Sequence, residues 1–171
     1  MRKVLFILGV LTDEDIEWLL RMGNKLHLKA GEVLIQEAAF VSALYIVLEG
    51  QLGVYVHGTQ KVADLKAGEM VGEISFVDKS PTTAAVKAER ETTVFAIDDN
   101  VLRQHLADDN EFAARFYRAL AAFLAYRLRD TTTQLGYGRE TRLDHEMDDP
   151  ALEDAYVAGV RFEHVLRELM G

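Results

Sequence analysis

The sequence predicts an α+β, mainly β protein: an antiparallel β-roll or jelly-roll barrel with an N-terminal helix and a long C-terminal helix. Three features predict it. Residues 12–23 place apolar side chains at helical spacing. From Lys25 to Ile97 the period changes to alternation in short runs divided by glycines. After Asn100 the helical period returns and persists for about six turns.

In chain order, Thr12 stands before Asp13, Glu14 and Asp15, an N-cap followed by acids that suit the positive end of a helix. Ile16, Leu19 and Leu20 form its stripe, and Gly23-Asn24 ends it. Leu26/Leu28, Val33/Ile35, Leu44/Ile46/Leu48, Leu52/Val54/Val56, Val62/Leu65 and Val94/Ala96 read as strands, with turns at Gly31, Gly50, Gly58 and Gly68. A short helix is expected over Val101–Ala107. Asp108, Asp109 and Asn110 then open the long helix, striped by Phe112, Phe116, Leu120, Phe123, Leu124, Leu128 and Leu135. A helix longer than the roll beside it has surplus apolar surface, so a homodimer through the Phe112–Leu135 helix is expected. Gly136-Tyr137-Gly138 breaks the pattern and the acidic segment Glu140–Asp149 follows. A last helix from Leu152 to Met170 sets Leu152, Tyr156, Val160, Phe162, Leu166 and Leu169 on one side. The expected division is 1–135, the roll with its long helix, and 136–171, an acidic helical extension.

Composition narrows the function. The 171 residues are 49% hydrophobic and 27% charged, suited to one globular core. Net charge is -9, and nucleic-acid binding needs a local basic cluster. The nearest set, Arg115, Arg118, Arg127 and Arg129, is spread along the long helix and reads as a solvated face. The acidic residues after Leu135 show no basic helix-turn-helix, so no nucleic-acid partner is expected. With no cysteine there is no disulfide or thiolate metal site, which fits a reducing cytoplasm. Met1-Arg2-Lys3 and Val4–Leu8 imitate a signal peptide, but the apolar run is short and leads into an acidic helix. No run reaches transmembrane length, so no membrane partner is expected. His27, His57, His105, His145 and His164 are isolated, and no Ser–His–Asp or paired-carboxylate set stands out. Neither an enzyme nor a bound metal or cofactor is expected.

The chemistry concentrates in Gly68-Glu69-Met70-Val71-Gly72-Glu73-Ile74-Ser75-Phe76-Val77-Asp78-Lys79-Ser80-Pro81-Thr82-Thr83-Ala84-Ala85. Together with Gly31-Glu32-Val33-Leu34-Ile35 and Tyr45-Ile46-Val47-Leu48-Glu49-Gly50, this stretch resembles the phosphate-binding cassette of cyclic-nucleotide-binding domains. Such domains occur in kinase regulatory subunits, gated channels and catabolite-activator-type bacterial regulators. The resemblance covers about residues 12–135. It implies a β-roll with a short cassette helix, standing alone without the helix-turn-helix, and cAMP or cGMP as the possible ligand. It assigns ligand binding to Gly72, Glu73, Ile74, Ser75, Thr82, Thr83 and Ala84, with Thr131 and Thr132 from the long helix. Gly72 lets backbone approach the ligand. Glu73 either accepts from a ribose hydroxyl or bonds the cassette backbone. Ile74–Val77 forms one helical turn with free N–H groups, and Thr82–Ala84 closes over a cyclic phosphate. Thr83 falls where guanine-preferring members often have threonine. Thr131-Thr132 fall where the catabolite activator contacts adenine across its dimer, or they simply mark a polar helix end.

One departure divides the functional reading. Thr82 stands where the family has the arginine that pairs with phosphate, a neutral single donor in place of a charged fork. Losing such a partner costs about 2–5 kcal/mol. Lys79 and Lys87 are candidate substitutes. The chain is read either as a non-enzymatic sensor signalling ligand occupancy through its long helix to a separate protein partner, or as a nucleotide-independent dimeric interaction module. Glu37-Ala38-Ala39-Phe40 stands where relatives have a glycine-containing turn, with Phe40 either a partner contact or folded back on the roll.

Overall fold

Apolar runs decide where this chain turns inward, beginning with one that the sequence reading set aside. The computed structural model describes residues 5–134 and 150–170, so Leu135, Gly136-Tyr137-Gly138 and Glu140–Asp149 lie outside it. The signal-peptide-like run is a helix, α1 (Leu5–Val10), which seats Leu8, with Leu11 beyond it, in a helical core. Helix α2 (Asp13–Met22) starts as expected. Asp15 N–H donates to Thr12 Oγ1 at 3.2 Å, and Thr12 N–H donates to the Asp15 carboxylate at 2.8 Å.

Eight strands and a short helix follow: β1 (Asn24–Leu28), β2 (Val33–Ile35), β3 (Ala43–Glu49), β4 (Gln51–Val56), β5 (Gln60–Lys66), β6 (Met70–Val71), α3 (Glu73–Asp78), β7 (Ala85–Ala88) and β8 (Thr92–Asp98). They form two antiparallel four-stranded sheets, ordered β1-β8-β3-β6 and β2-β7-β4-β5. The roll is thus two facing sheets and not a closed barrel, because the chain switches sheets at single residues instead of wrapping continuously. Gly50 makes one switch at φ 94°, where a Cβ would lie 2.5 Å from the Glu91 carbonyl oxygen.

The centre of the first sheet is buried on both faces, so β3 and β8 are apolar at successive positions and not only at alternate ones. Tyr45, Val47, Val94 and Ala96 face a core shared with Leu52, Leu65 and Val86 of the second sheet. Leu44, Leu48, Phe95 and Ile97 face the helices. Those helices are α4 (Asp99–Asp108), capped by Asp98, and α5 (Asn110–Gln134), whose Glu111 and Phe112 N–H groups both donate to Asp109 at 2.9 Å. On α5, Phe112, Phe116, Leu120 and Phe123 are buried, Leu124 is half-buried and Leu128 is 69% exposed. The apolar stripe therefore outruns the core at its C-terminal end.

Helix α6 (Pro150–Met170) packs back on α1 and α2 through Phe162 and Val165. Its Arg161 donates to Asp13 at 2.8 Å and to the Leu8 carbonyl at 2.9 Å. Val160 is exposed, so the inward line is Phe162, Val165, Leu166 and Leu169 and excludes Val160. Leu152 and Tyr156, the other side chains of the expected face, lie outside the described side chains. Among the described residues no helix is long and apolar enough to cross a membrane.

The arginines of α5 are not simply a solvated face. Arg115 grips buried Asp15 with bonds of 2.7 and 2.9 Å, tying α5 to α2. Burial pushes the Asp15 carboxyl up, but bonds from Arg115 and Thr12 outweigh it and hold the group below its ordinary value. A depressed carboxyl stabilises the fold above its unfolded pKa, and that stability is lost as pH falls through the folded value. Replacing Asp15 by Ala removes a cap partner and the bidentate bridge. It is expected to cost about 2 kcal/mol in urea unfolding at neutral pH. The difference from the parent protein should shrink under acid, and a constant difference across pH would contradict the electrostatic origin.

Candidate ligand-binding site

Two glycine-free turns and one glycine shape the cassette. The chain leaves β6 and must reverse immediately into α3, which Gly72 permits at φ 96°. A Cβ there would sit 2.8 Å from the Ala43 carbonyl oxygen, so space and backbone angle both require glycine. Helix α3 spans Glu73–Asp78, longer than the single turn expected, and Lys79 ends it at φ 56°. Opposite, Ala38 takes φ 58° in the turn where a glycine is usual, and Phe40 beside it is 75% exposed.

Helix α3 is held by arginines from both helices beneath it. Arg103 of α4, paired with Asp99 at 2.8 Å, donates to the Phe76 carbonyl, and its guanidinium lies 4.3 Å from the Phe76 ring centre. Phe76 in turn meets Phe116 of α5 edge-on at 5.8 Å. Glu73, only 1% exposed, is ion-paired with Arg127 of α5. Burial pushes the Glu73 carboxyl above its ordinary value, and the Arg127 charge pulls against that shift without cancelling it.

Above α3 lies a cavity of about 190 Å³. Ile35, Val54, Val71 and Val86 give it an apolar wall from both sheets. Gly72, Glu73, Ile74, Ser75, Thr82, Thr83 and Ala84 all line it, so seven of the nine residues assigned by resemblance converge on one space. Thr131 and Thr132 do not line it. Both are exposed, and their hydroxyls donate back to the Arg127 and Leu128 carbonyls at 2.9 and 2.7 Å. Thr82 lines the cavity with its hydroxyl already engaged: it donates to the Gln36 carbonyl and accepts from Ala39 N–H at 3.2 Å. The backbones of Thr82 and residues 38 and 39 exchange two more bonds at 2.8 and 2.9 Å. This threonine staples the cassette to the turn before β3.

Neither lysine substitutes for the missing arginine. Lys87 points to the far end of β4, with its ammonium 4.7 Å from the Tyr55 ring and 3.3 Å from the Gly58 carbonyl. Lys79 is exposed and does not line the cavity. Arg127 does line it, and the sequence reading had left it on the solvated face. The signal was present in the spacing: Ala119, Phe123 and Arg127 succeed one another at i, i+4, which sets the arginine on the buried line of α5.

Comparison with known proteins agrees with the fold. The family model described as cyclic nucleotide-binding domain matches residues 25–109. A cAMP-dependent protein kinase regulatory subunit of Blastocladiella emersonii is 34% identical over 94 residues, 53% of this chain and 23% of that protein. Cyclic GMP-binding protein C of Dictyostelium discoideum is 29% identical over 124 residues, 70% of this chain and 5% of that protein. The chain thus spans under a quarter of the length of either relative. Among solved structures, a cyclic nucleotide-binding domain from Methylobacillus flagellatus superposes with a TM-score of 0.70 at 20% identity, covering 82% of this chain and 85% of that one.

Removing Arg127 leaves a buried carboxylate without its cation. Arg127→Ala is expected to lower stability at pH 7.5 by about 1–3 kcal/mol, less than for a fully buried pair because the arginine side chain is 30% exposed. A carboxyl whose folded pKa is raised favours folding more as pH falls, so the loss should shrink as Glu73 takes up its proton. In a Glu73→Gln background the same substitution should cost under about 0.5 kcal/mol. Equal losses in both backgrounds, measured by urea titration, would refute the coupling.

Proposed function

The segment 25–109 belongs to the cyclic nucleotide-binding domain family, and on that premise we propose that the chain is a non-enzymatic regulatory sensor whose cavity occupancy is read by α5. The Glu73–Arg127 pair carries this reading, because it joins a carboxylate on the cavity wall directly to the long helix. A sugar hydroxyl donating to Glu73 competes with the guanidinium for the same lone pairs. Any ligand that binds better when Arg127 is released shifts α5 toward the released arrangement by that difference in affinity. Release also bears on Phe123 and Phe116, since Arg127 lies 5.6 Å from the Phe123 ring and Phe116 packs on Phe76 of α3. The partner that receives the signal is a separate protein or a second copy of this chain.

A homodimer through α5 fits the exposed surface. Ala114, Tyr117, Ala121, Leu124, Leu128 and Thr131 follow one another at alternating spacings of three and four, the pattern of a two-helix seam. All are exposed or half-buried in the single chain, Tyr117 at 48% and Leu128 at 69%. The competing reading, a dimeric module that has lost its ligand, is favoured by one observation: the engaged hydroxyl of Thr82 where a phosphate-pairing arginine is usual.

One measurement separates these readings, and a second tests the α5 dimer that both include. Hydrogen exchange over residues 120–134 should change on saturation with at least one of cAMP, cGMP, adenosine or guanosine; unchanged exchange with all four favours the ligand-free module. In sedimentation, the parent chain should run at twice the single-chain mass, and Leu128→Glu should raise the dimer dissociation constant by at least about tenfold. A parent chain that sediments as a monomer rejects the α5 dimer.

A further inference from the structure

We propose that the cavity selects an uncharged ribosyl ligand, a nucleoside, over the corresponding cyclic phosphate ester. This rests on the sensor reading, in which the cavity is occupied by a ligand carrying a sugar.

The charges on the wall carry the inference. Among the described residues lining the cavity, three are charged: Glu73, Asp78 and Arg127. Glu73 and Arg127 carry opposite charges whether paired or parted, so together they present little net charge to a ligand. Asp78 remains, and Ser80 donates to it from its hydroxyl at 2.6 Å and from its backbone at 3.0 Å. Those bonds hold the Asp78 carboxyl below its ordinary value, so it is ionised at neutral pH. The wall therefore sums to one negative charge. A phosphodiester brings a second one.

No further cationic side chain compensates among the described residues lining the cavity. The Thr82 hydroxyl is spent on Gln36 and Ala39, and Lys87 is directed to Tyr55 and Gly58. The remaining surface suits an uncharged molecule with a flat apolar part and hydroxyls. Ile35, Val54, Val71 and Val86 offer the apolar contact, Glu73 offers an acceptor, and Ser75 and Thr83 add hydroxyls.

Calorimetry on the full chain at pH 7.5 tests the proposal with adenosine against cAMP and guanosine against cGMP. The nucleoside of at least one pair should bind about tenfold or more tightly than its cyclic phosphate, and the gap should narrow as salt is raised, since Asp78 is exposed and screened. Thr82→Arg should tighten the cyclic nucleotide relative to its nucleoside by at least about thirtyfold. Because that change also cuts the staple to residues 36 and 39, Asp78→Asn provides an independent check. It should tighten the cyclic nucleotide about threefold relative to its nucleoside. A cyclic nucleotide that binds the parent chain as tightly as its nucleoside, or more tightly, overturns the proposal and leaves the sensor reading standing. No binding of any of the four compounds to the folded parent chain overturns both.

Discussion

A carboxylate buried at the first turn of a six-residue helix and a guanidinium on a helix far along the chain hold the two halves of this molecule together. Glu73 cannot be solvated where it lies, and an isolated charge there would be untenable without a cation or a proton. Arg127 supplies the cation, and in doing so it fixes how α5 crosses beneath the cassette. The same logic operates at the other end of α5, where Arg115 answers the buried carboxylate of Asp15. Two arginines on one helix thus pin it at both ends to acids on different elements. Arg103 repeats the theme from α4 by gripping the carbonyl end of α3. The cassette is set by polar contacts with its helices as much as by the sheets above it.

The apolar cores make these contacts obligatory. The sheet β1-β8-β3-β6 is sandwiched between the second sheet and the helices, so β3 and β8 send side chains to two cores at once. A shift of α5 disturbs Phe116 and Phe123, which are buried under that sheet, and Phe116 meets Phe76 of α3. Interiors at this density do not deform smoothly, which is the basis on which the proposed sensor would pass a local change at the cavity to α5. Burial of Glu73 opposes folding at neutral pH, and its pairing with Arg127 offsets that cost.

Much of this was legible in the residues. The glycine-punctuated alternation gave the roll, Thr12 and Asp109 marked helix starts that bond as their chemistry demands, and the cassette residues converge on one cavity. Three things were not. The apolar start of the chain resembles an export signal, and only the fold places Leu8 of α1 in the helical core. The division into two sheets depends on switches such as Gly50, whose necessity lies in a carbonyl more than forty positions away in sequence. Arg127 was hidden because a charge on a helix is ordinarily solvated, and only the partner on α3 explains its place on the buried line. Thr82 was noticed as a missing charge, but its role as a staple to residues 36 and 39 required the tertiary contact.

The central claim is that Arg127 holds α5 in register with the cassette. With no native cysteine in the chain, spin labels can be placed at Ala125→Cys on α5 and Glu91→Cys on the turn between β7 and β8, with labelled chain diluted into unlabelled chain. Pulsed dipolar spectroscopy on this pair reads the position of α5 directly. Adding Arg127→Ala to the labelled chain should move or broaden the distance distribution in the absence of any ligand. A distribution identical with and without Arg127 would contradict the claim.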